Sequence, residues 1–190
     1  MTAVCRLPFA DASYDVVLLN LVLEWCAGGN PEEPAIAGQP RLLSEIYRVL
    51  KPNGTLQLCT KNRFAYRLLV GGGDEHAHGL RFGNALPRWL LRLIVRLRGK
   101  PAPAGHLHSY GALDRLIRGA GLSPVQSYWA VPEMRFPEQF IPTDVKAIRL
   151  ARHQLIRQGN SRLTNLLMRL TPAWMVRYVT PGLFFIARKI

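Results

Sequence analysis

The sequence predicts an α/β fold with a mostly parallel sheet, and three observations support this prediction. A near-continuous apolar run at residues 16–23, VVLLNLVL, is typical of a strand buried on both faces. Residues 41–50 repeat apolar side chains at helical spacing, and TLQLCT at 55–60 follows as a second strand. The crossover between these strands is long enough for a right-handed parallel strand–helix–strand unit.

The remaining elements follow from periodicity and from residues that stop helices. Residues 51–54, KPNG, end the first helix and turn the chain, because proline cannot continue a helix and Asn-Gly tolerates positive φ. A second helix is predicted between Ser109 as its N-cap and Gly121 as its stop. The strand PVQSYWAV at 124–131 follows, and the β-prone run GLFFIARKI at 182–190 is expected to close a sheet edge.

The composition is typical of one globular domain. The 190 residues are 48% hydrophobic and 19% charged, far from disordered compositions. Cys5, Cys26 and Cys59 form no CxxC pair, which favours a reducing, cytoplasmic environment over a zinc site or a disulfide framework. The first residues lack the pattern of a signal peptide, and no apolar run is long enough to predict a membrane span.

The formal charge of +13 is unevenly distributed along the chain. Residues 1–50 carry three Arg against six acids, whereas residues 61–118 carry eleven Lys or Arg against three acids. Residues 119–190 add ten cations against three acids. Such asymmetry indicates an anionic partner such as nucleic acid, an acidic lipid surface or a phosphorylated substrate, or else an Arg-rich proteome.

The first predicted strand is expected to lack a neighbour on one side. A doubly apolar strand belongs in the middle of a parallel sheet, yet only a short segment and a turn precede residues 16–23. An unpaired edge would expose backbone groups and apolar side chains. The chain is therefore expected to be incomplete, with a missing N-terminal segment, or to pair with another subunit as a homodimer.

The first strand–helix–strand unit resembles a known family. LPFADASYDVVLLNLVLEW, followed by RLLSEIYRVLKPNGTLQL, is similar to the second half of the class I S-adenosylmethionine-dependent methyltransferase domain of the methyltransferase type 11-like group. Members read roughly LPF-x-D-x-S-[FY]-D and then E-x-x-R-V-L-[KR]-P-G-G, and Pro-Asn-Gly at residues 52–54 replaces the usual Pro-Gly-Gly. Residues 61–90 resemble a subgroup associated with bacterial surface-polysaccharide modification.

The resemblance implies one partial methyltransferase domain over residues 1–190. Its Rossmann-like, mostly parallel sheet would carry helices on both faces, an antiparallel last strand and a helical insert before that strand. The expected parts are a strand–helix–strand core, a loop with a basic helix, a helix–strand pair, the helical insert and the last strand, at residues 7–60, 61–108, 109–132, 133–181 and 182–190.

The resemblance also implies S-adenosylmethionine as cofactor, bound at the carboxyl ends of the strands. The family's glycine-rich turn and ribose-binding acid are absent from this sequence, and its adenine-contacting Asp would fall at Ala3. The matching cofactor positions are Asn20 and Leu21, while Glu24 is expected to face the same pocket or solvent. Asn20 is alternatively a structural amide at a strand end. Cofactor binding by this chain alone is expected to be severely weakened.

A cluster of acids and histidines follows the glycines at residues 71–73. Asp74, Glu75, His76 and His78 are residue types that ligate metals, act as a general base for a methyl-accepting hydroxyl, or line a solvated loop. We expect Glu75 or His76 to be the base, and we assign no metal. The candidate substrate-binding residues are Asn62, Asp74, His108 and Tyr110.

The segment at residues 87–100, PRWLLRLIVRLRGK, predicts an amphipathic basic helix. Arg88, Arg92 and Arg96 fall on one stripe, with Trp89 and aliphatic residues around the rest. This pattern is typical of a peripheral helix that meets anionic lipid, or of a core-packed helix with one wet stripe. Nucleic-acid binding is disfavoured, because the basic residues alternate with bulky aliphatic ones.

Two functional hypotheses follow from the sequence. The first is an S-adenosylmethionine-dependent methyltransferase, or a truncated remnant of one, that acts on a glycan or lipid-linked saccharide at the cytoplasmic face of a membrane. Such an enzyme holds donor and acceptor in line and uses a base where a hydroxyl must be activated. The second is a non-catalytic methyltransferase-like binding or scaffold protein at a membrane surface.

Overall fold

Five strands form one sheet in the computed structural model, which describes residues 6–26, 35–101, 105–131, 134–157 and 162–190. Ala3 and Cys5 lie outside the described residues. Strands β1 to β5 span Tyr14–Asn20, Leu50–Lys61, Leu122–Val131, Gln139–Pro142 and Gly182–Lys189. Helices α1 to α7 span Ala35–Val49, Tyr66–Leu69, Arg88–Leu97, Tyr110–Gly119, Val145–Arg157, Arg162–Leu170 and Ala173–Val179. Within these ranges, each helix is too short or too polar to cross a bilayer.

The strand order is β1-β2-β5-β3-β4. β1 and β2 are parallel, with Leu19 beside Leu58, and β5 runs antiparallel to both of its neighbours. The predicted α/β class, the parallel strand–helix–strand unit and the antiparallel last strand are therefore confirmed. β1, β2 and β3 point in one direction, although β1–β2 is the one parallel pair in the described sheet.

One strand lies inside the segment that was expected to be helical. β4 pairs antiparallel with β3, and Ile141 lies beside Trp129. Both side chains are buried, at 7% and 2% exposure. Cross-strand packing on β3 thus stabilises the short apolar run of β4. The sequence did not predict this strand, because the segments around it have helical periodicity.

The predicted turn at residues 51–54 is a bulge inside β2. Tyr14 pairs with Leu50 but Val16 pairs with Thr55, so β2 has extra residues opposite β1. Asn53 adopts a left-handed conformation with φ of 63°, as the Asn-Gly pair predicted. Residues 51–54 bend the chain as expected, but β2 pairs with β1 both before and after them.

The helices that pack on the sheet lie on one face, whereas helices were expected on both. Leu58 and Ser127 are both paired with Phe185, so all three side chains point to the face that α1 and α4 cover. Trp129 lies two residues beyond Ser127 and therefore on this same face, where it packs with side chains of α5 and α7. A single helical layer thus buries the core.

β1 is an edge strand with an exposed outer face. Leu19 packs into the core at 9% exposure, whereas Val16 and Leu18 are 49% and 69% exposed. The expectation that this strand is buried on both faces is therefore wrong in the described structure. The reason is its position, because β2 is its one neighbour in the described sheet.

This asymmetry predicts different effects for two adjacent leucines. Leu19→Ala is expected to lower the free energy of unfolding by about 2 kcal/mol, the low end of core truncations, since a site near the sheet edge can relax. Leu18→Ala is expected to change it by no more than about 0.5 kcal/mol. Urea unfolding of both variants tests this. A loss at Leu18 as large as that at Leu19 would show that the outer face is covered in solution.

Candidate active site

A cavity of about 460 Å³ opens at the carboxyl ends of β1 and β2. Leu21, just after β1, and Lys61 and Asn62, at the end of β2, form its floor. Its walls are formed by side chains from residues 65–75 together with Met134, Arg135 and Pro181. This cavity therefore lies where open α/β sheets bind ligands.

Charged side chains line one wall of this cavity. The ammonium of Lys61 contacts Asp74 at 3.3 Å and also donates to Glu75. Arg135 contacts the same Glu75 carboxylate at 3.4 Å. Lys61 thus holds both carboxylates and Arg135 adds a second cation at Glu75, and this arrangement can offer oxygen acceptors to hydroxyl groups of a ligand.

Lys61 determines the charge state of Glu75. Its hydrogen bond to the carboxylate holds the pKa of Glu75 below the ordinary glutamate range, with smaller help from Arg135. Glu75 is therefore ionised at neutral pH and accepts hydrogen bonds. As a general base it is weak in the ground state, because an efficient base has a pKa near the working pH.

The His76 side chain lies behind the cavity wall. Its surface is fully buried, and its ring centroid is 4.2 Å from that of Trp25. The backbone N–H of His76 donates to the Asp74 carboxylate at 2.9 Å, which caps a short 3-10 turn over Glu75–Ala77. Of the two candidate bases, Glu75 lines the cavity and His76 does not.

β1 ends in a sharp change of backbone direction. Leu21 has φ of 54°, a left-handed conformation that is strained by about 1–3 kcal/mol for a leucine. Its N–H still donates to the Cys59 carbonyl at 2.8 Å, so the turn is pinned to β2. Leu21 lines the cavity, and Asn20 is exposed at the strand end.

Glu24 is a buried carboxylate close to this turn. It is 1% exposed, and Thr60 of β2 donates its hydroxyl to Oε2 at 2.7 Å. The second oxygen, Oε1, has no hydrogen-bond partner within the described residues. Glu24 does not line the cavity, so its contact with Thr60 holds the segment after β1 onto β2.

A buried glutamine joins three segments next to Glu24. Gln39 of α1 donates to the carbonyls of Leu23, at 2.8 Å, and His106, at 3.0 Å. Its Oε1 lies 2.5 Å from Nε2 of His108, so that nitrogen carries the proton and donates. Burial lowers the pKa of His108 to about 4 and that of His106 to about 3. Both imidazoles are therefore neutral at pH 7.

Asn62 and Tyr110 are held by interactions within the protein. The amide nitrogen of Asn62 donates to the carbonyls of Tyr178 and Thr180, each at 2.9 Å, and its oxygen accepts from the N–H of Phe64. The Tyr110 hydroxyl lies 2.9 Å from that of Ser127. Asn62 thus fixes the cavity floor by joining β2 to the segment before β5.

The structure brings together part of the predicted set of site residues. Those that line the cavity are Leu21, Asn62, Asp74 and Glu75. Those outside its lining are Asn20, Glu24, His76, His108 and Tyr110. Sequence reasoning missed Lys61, whose place at the end of a strand is a usable signal, and Arg135, which no local pattern connects with residue 75. Within the described ranges, no three His, Cys, Asp or Glu side chains are grouped to hold a metal ion.

Comparison with known proteins gives two sequence matches. Residues 1–58 match the family model described as a methyltransferase domain. The biotin biosynthesis bifunctional protein BioHC of Cellvibrio japonicus is 38% identical over 55 residues, which are 29% of this chain and 9% of that protein.

Solved structures with a similar chain course include two methyltransferases. An S-adenosylmethionine-dependent methyltransferase from Methanosarcina mazei is 16% identical with a TM-score of 0.48, over 97% of this chain and 63% of that one. Geranyl diphosphate C-methyltransferase from Streptomyces coelicolor is 13% identical with a TM-score of 0.44, over 97% and 49%. The chain thus spans less than two thirds of the length of each.

Proposed function

Because residues 1–58 belong to the class I S-adenosylmethionine-dependent methyltransferase family, we propose that the chain forms one side of a methyltransferase active site. S-adenosylmethionine is the cofactor of this family. The observation that carries the proposal is the 460 Å³ cavity at the carboxyl ends of β1 and β2. Its volume falls within the range of about 300–1,000 Å³ for small-molecule sites.

The residues after β1 fit one side of a cofactor site. Asn20 presents an exposed amide, and the left-handed turn at Leu21 places an apolar side chain in the cavity lining. Glu24 does not line the cavity, and its hydrogen bond with Thr60 holds this segment onto β2. When bound, the cofactor supplies an electrophilic methyl group on a sulfonium.

We assign the acceptor to the charged wall. Asp74 and Glu75 present carboxylate oxygens to hydroxyl groups, and Lys61 holds both acids in place. Glu75 accepts a hydrogen bond from the reacting hydroxyl and takes its proton as that oxygen becomes acidic. Several hydroxyls in a compact ring suit this wall, which supports a glycan or lipid-linked saccharide as the acceptor.

The glycine-rich side of the site would come from another polypeptide segment. The open edge of β1 in the described sheet supports this assignment, because a strand added there would pair with its backbone and pack beside Val16 and Leu18. A second copy of this chain lacks the glycine-rich turn, so it would pair with β1 without supplying that side of the site. A location at the cytoplasmic face of a membrane would bring a lipid-linked acceptor to the cavity.

Calorimetric titration with S-adenosylmethionine tests the cofactor side. Asn20→Ala is expected to weaken binding about fivefold, the equivalent of one hydrogen bond of about 1 kcal/mol. Gln139→Ala, at an exposed amide on β4, is the matched control and should bind as the parent does. Equal affinities for the parent and Asn20→Ala would remove Asn20 from the cofactor site.

The same titration distinguishes the enzyme from the scaffold hypothesis. The parent chain is titrated with S-adenosylmethionine and with S-adenosylhomocysteine at high micromolar concentration. If neither titration produces heat, the result counts against an independent cofactor site. Addition of the glycine-rich segment from a complete methyltransferase should then restore binding. Failure of that restoration would contradict the enzyme proposal and leave the non-catalytic scaffold.

A further inference from the structure

We propose that the exposed face of α3 docks on an anionic lipid bilayer. α3 buries Leu91 and Val95 against the protein. The opposite side presents Trp89, Leu93 and Leu97, which are 68%, 48% and 78% exposed. These three positions are spaced by four residues and therefore form one apolar stripe along the helix. We call it the α3 stripe.

Cations flank the α3 stripe. Arg92 and Arg96 are exposed one helical turn apart beside it, and Lys100 is exposed just beyond the helix. Residues 76–113 contain six Lys or Arg and no Asp or Glu. The surface around the stripe therefore carries a positive field that attracts anionic headgroups.

Arg88 belongs to the predicted basic stripe, but it differs from Arg92 and Arg96 in exposure. Arg88 is half-buried, and its guanidinium donates to the Gly105 carbonyl. It thus anchors α3 to the segment that leads to His106 and His108. The exposed charge of the helix itself consists of Arg92 and Arg96, one and two turns further along the same basic stripe.

The combination of side chains favours lipid over other anionic partners. The phosphates of a polyanion such as duplex DNA would contact the arginines, but they offer no apolar environment for the exposed tryptophan and two leucines. At a bilayer surface, Trp and Leu enter the boundary between headgroups and acyl chains while Arg stays at the phosphates. The apolar α3 stripe and the arginines beside it would then both contact the bilayer. The inference rests on these surface residues alone and does not require methyl transfer.

Vesicle flotation tests the proposal. At low salt, the protein should float with vesicles of phosphatidylglycerol and phosphatidylcholine and stay behind with phosphatidylcholine alone. Arg92→Gln/Arg96→Gln should bind roughly 30-fold more weakly, because each arginine contributes a factor of about five at an anionic surface. Trp89→Ser/Leu93→Ser should lose binding to a similar or greater extent.

A matched double variant identifies the binding surface. Leu163→Ser/Leu166→Ser removes two leucines of α6, each 52% exposed, and should bind vesicles like the parent. Circular dichroism of all variants confirms folding, which surface substitutions should preserve. Loss of binding in the α6 variant, with the α3 variants unaffected, would overturn the assignment.

A polyanion control separates lipid from nucleic acid. If a short DNA duplex binds as tightly as the anionic vesicles, and Trp89→Ser/Leu93→Ser leaves that binding unchanged, the surface is a polyanion site and the lipid proposal is wrong. Failure of the parent to float with anionic vesicles at low salt would also refute it. The expected result is weak DNA binding that depends on the arginines alone.

Discussion

Under the proposed function, Glu75→Gln is expected to lower the rate of methyl transfer by about 10²-fold, the low end for a positioned general base, because the lowered pKa of Glu75 makes it a weak base. Glutamine keeps the shape of the side chain but cannot take the acceptor's proton. It also removes the charge that Lys61 and Arg135 contact, so the wall would carry unbalanced positive charge. The defect should appear in kcat, with cofactor affinity unchanged.

The measurement is transfer of a labelled methyl group from S-adenosylmethionine to a lipid-linked saccharide fraction, the activity that the proposed function assigns, with the parent and the variant compared. Glu138→Gln is the matched control, because Glu138 is exposed and outside the cavity lining. It should retain parental activity. A Glu75→Gln enzyme within threefold of the parent would show that Glu75 is not the base.

Acidification is expected to destabilise the fold through His108. Burial lowers its pKa in the folded protein to about 4, whereas the unfolded chain takes up a proton near 6.5. The stabilisation is therefore complete above about pH 6.5 and is lost as the pH falls towards 4, by about 1.4 kcal/mol per unit. The total is about 3 kcal/mol. His106, whose pKa burial lowers to about 3, acts in the same direction.

Urea unfolding between pH 6.5 and 4.5 measures this slope. His108→Asn keeps a donor for the Gln39 oxygen but has no titrating group in this range, so its slope should be shallower than that of the parent. Above pH 7 the parent and the variant should show parallel curves. Equal slopes below pH 6.5 would show that His108 does not take part in acid destabilisation.

Local patterns were sufficient to predict four of the five described strands, but they could not give the depth of burial. Spacing of apolar residues located α1, α4, β2, β3 and β5, and Ser109 caps α4 by accepting from the N–H of Ala112. The same spacing could not show that Leu18 is exposed, because burial depends on which strand lies alongside. β4 was missed because its four residues are stabilised by Trp129, about ten residues earlier in the chain.

The site was predicted where residues are consecutive in sequence and missed where they meet through the fold. Asp74 and Glu75 follow a glycine loop and were identified directly. The cations that hold them, Lys61 and Arg135, come from a strand end and from a distant loop. His76 is buried with its ring against that of Trp25. These two residues are about fifty positions apart in the sequence, so local spacing could not predict the contact.

The open edge of β1 has a practical consequence for the isolated polypeptide. Within the described sheet, its outer backbone groups have no neighbouring strand and lie beside exposed apolar side chains, a combination that favours intermolecular sheet formation. Concentrated samples should therefore aggregate from this strand before any other part unfolds. Leu18→Lys would place a charge on this strand, which opposes intermolecular strand pairing and should slow aggregation without changing a core residue.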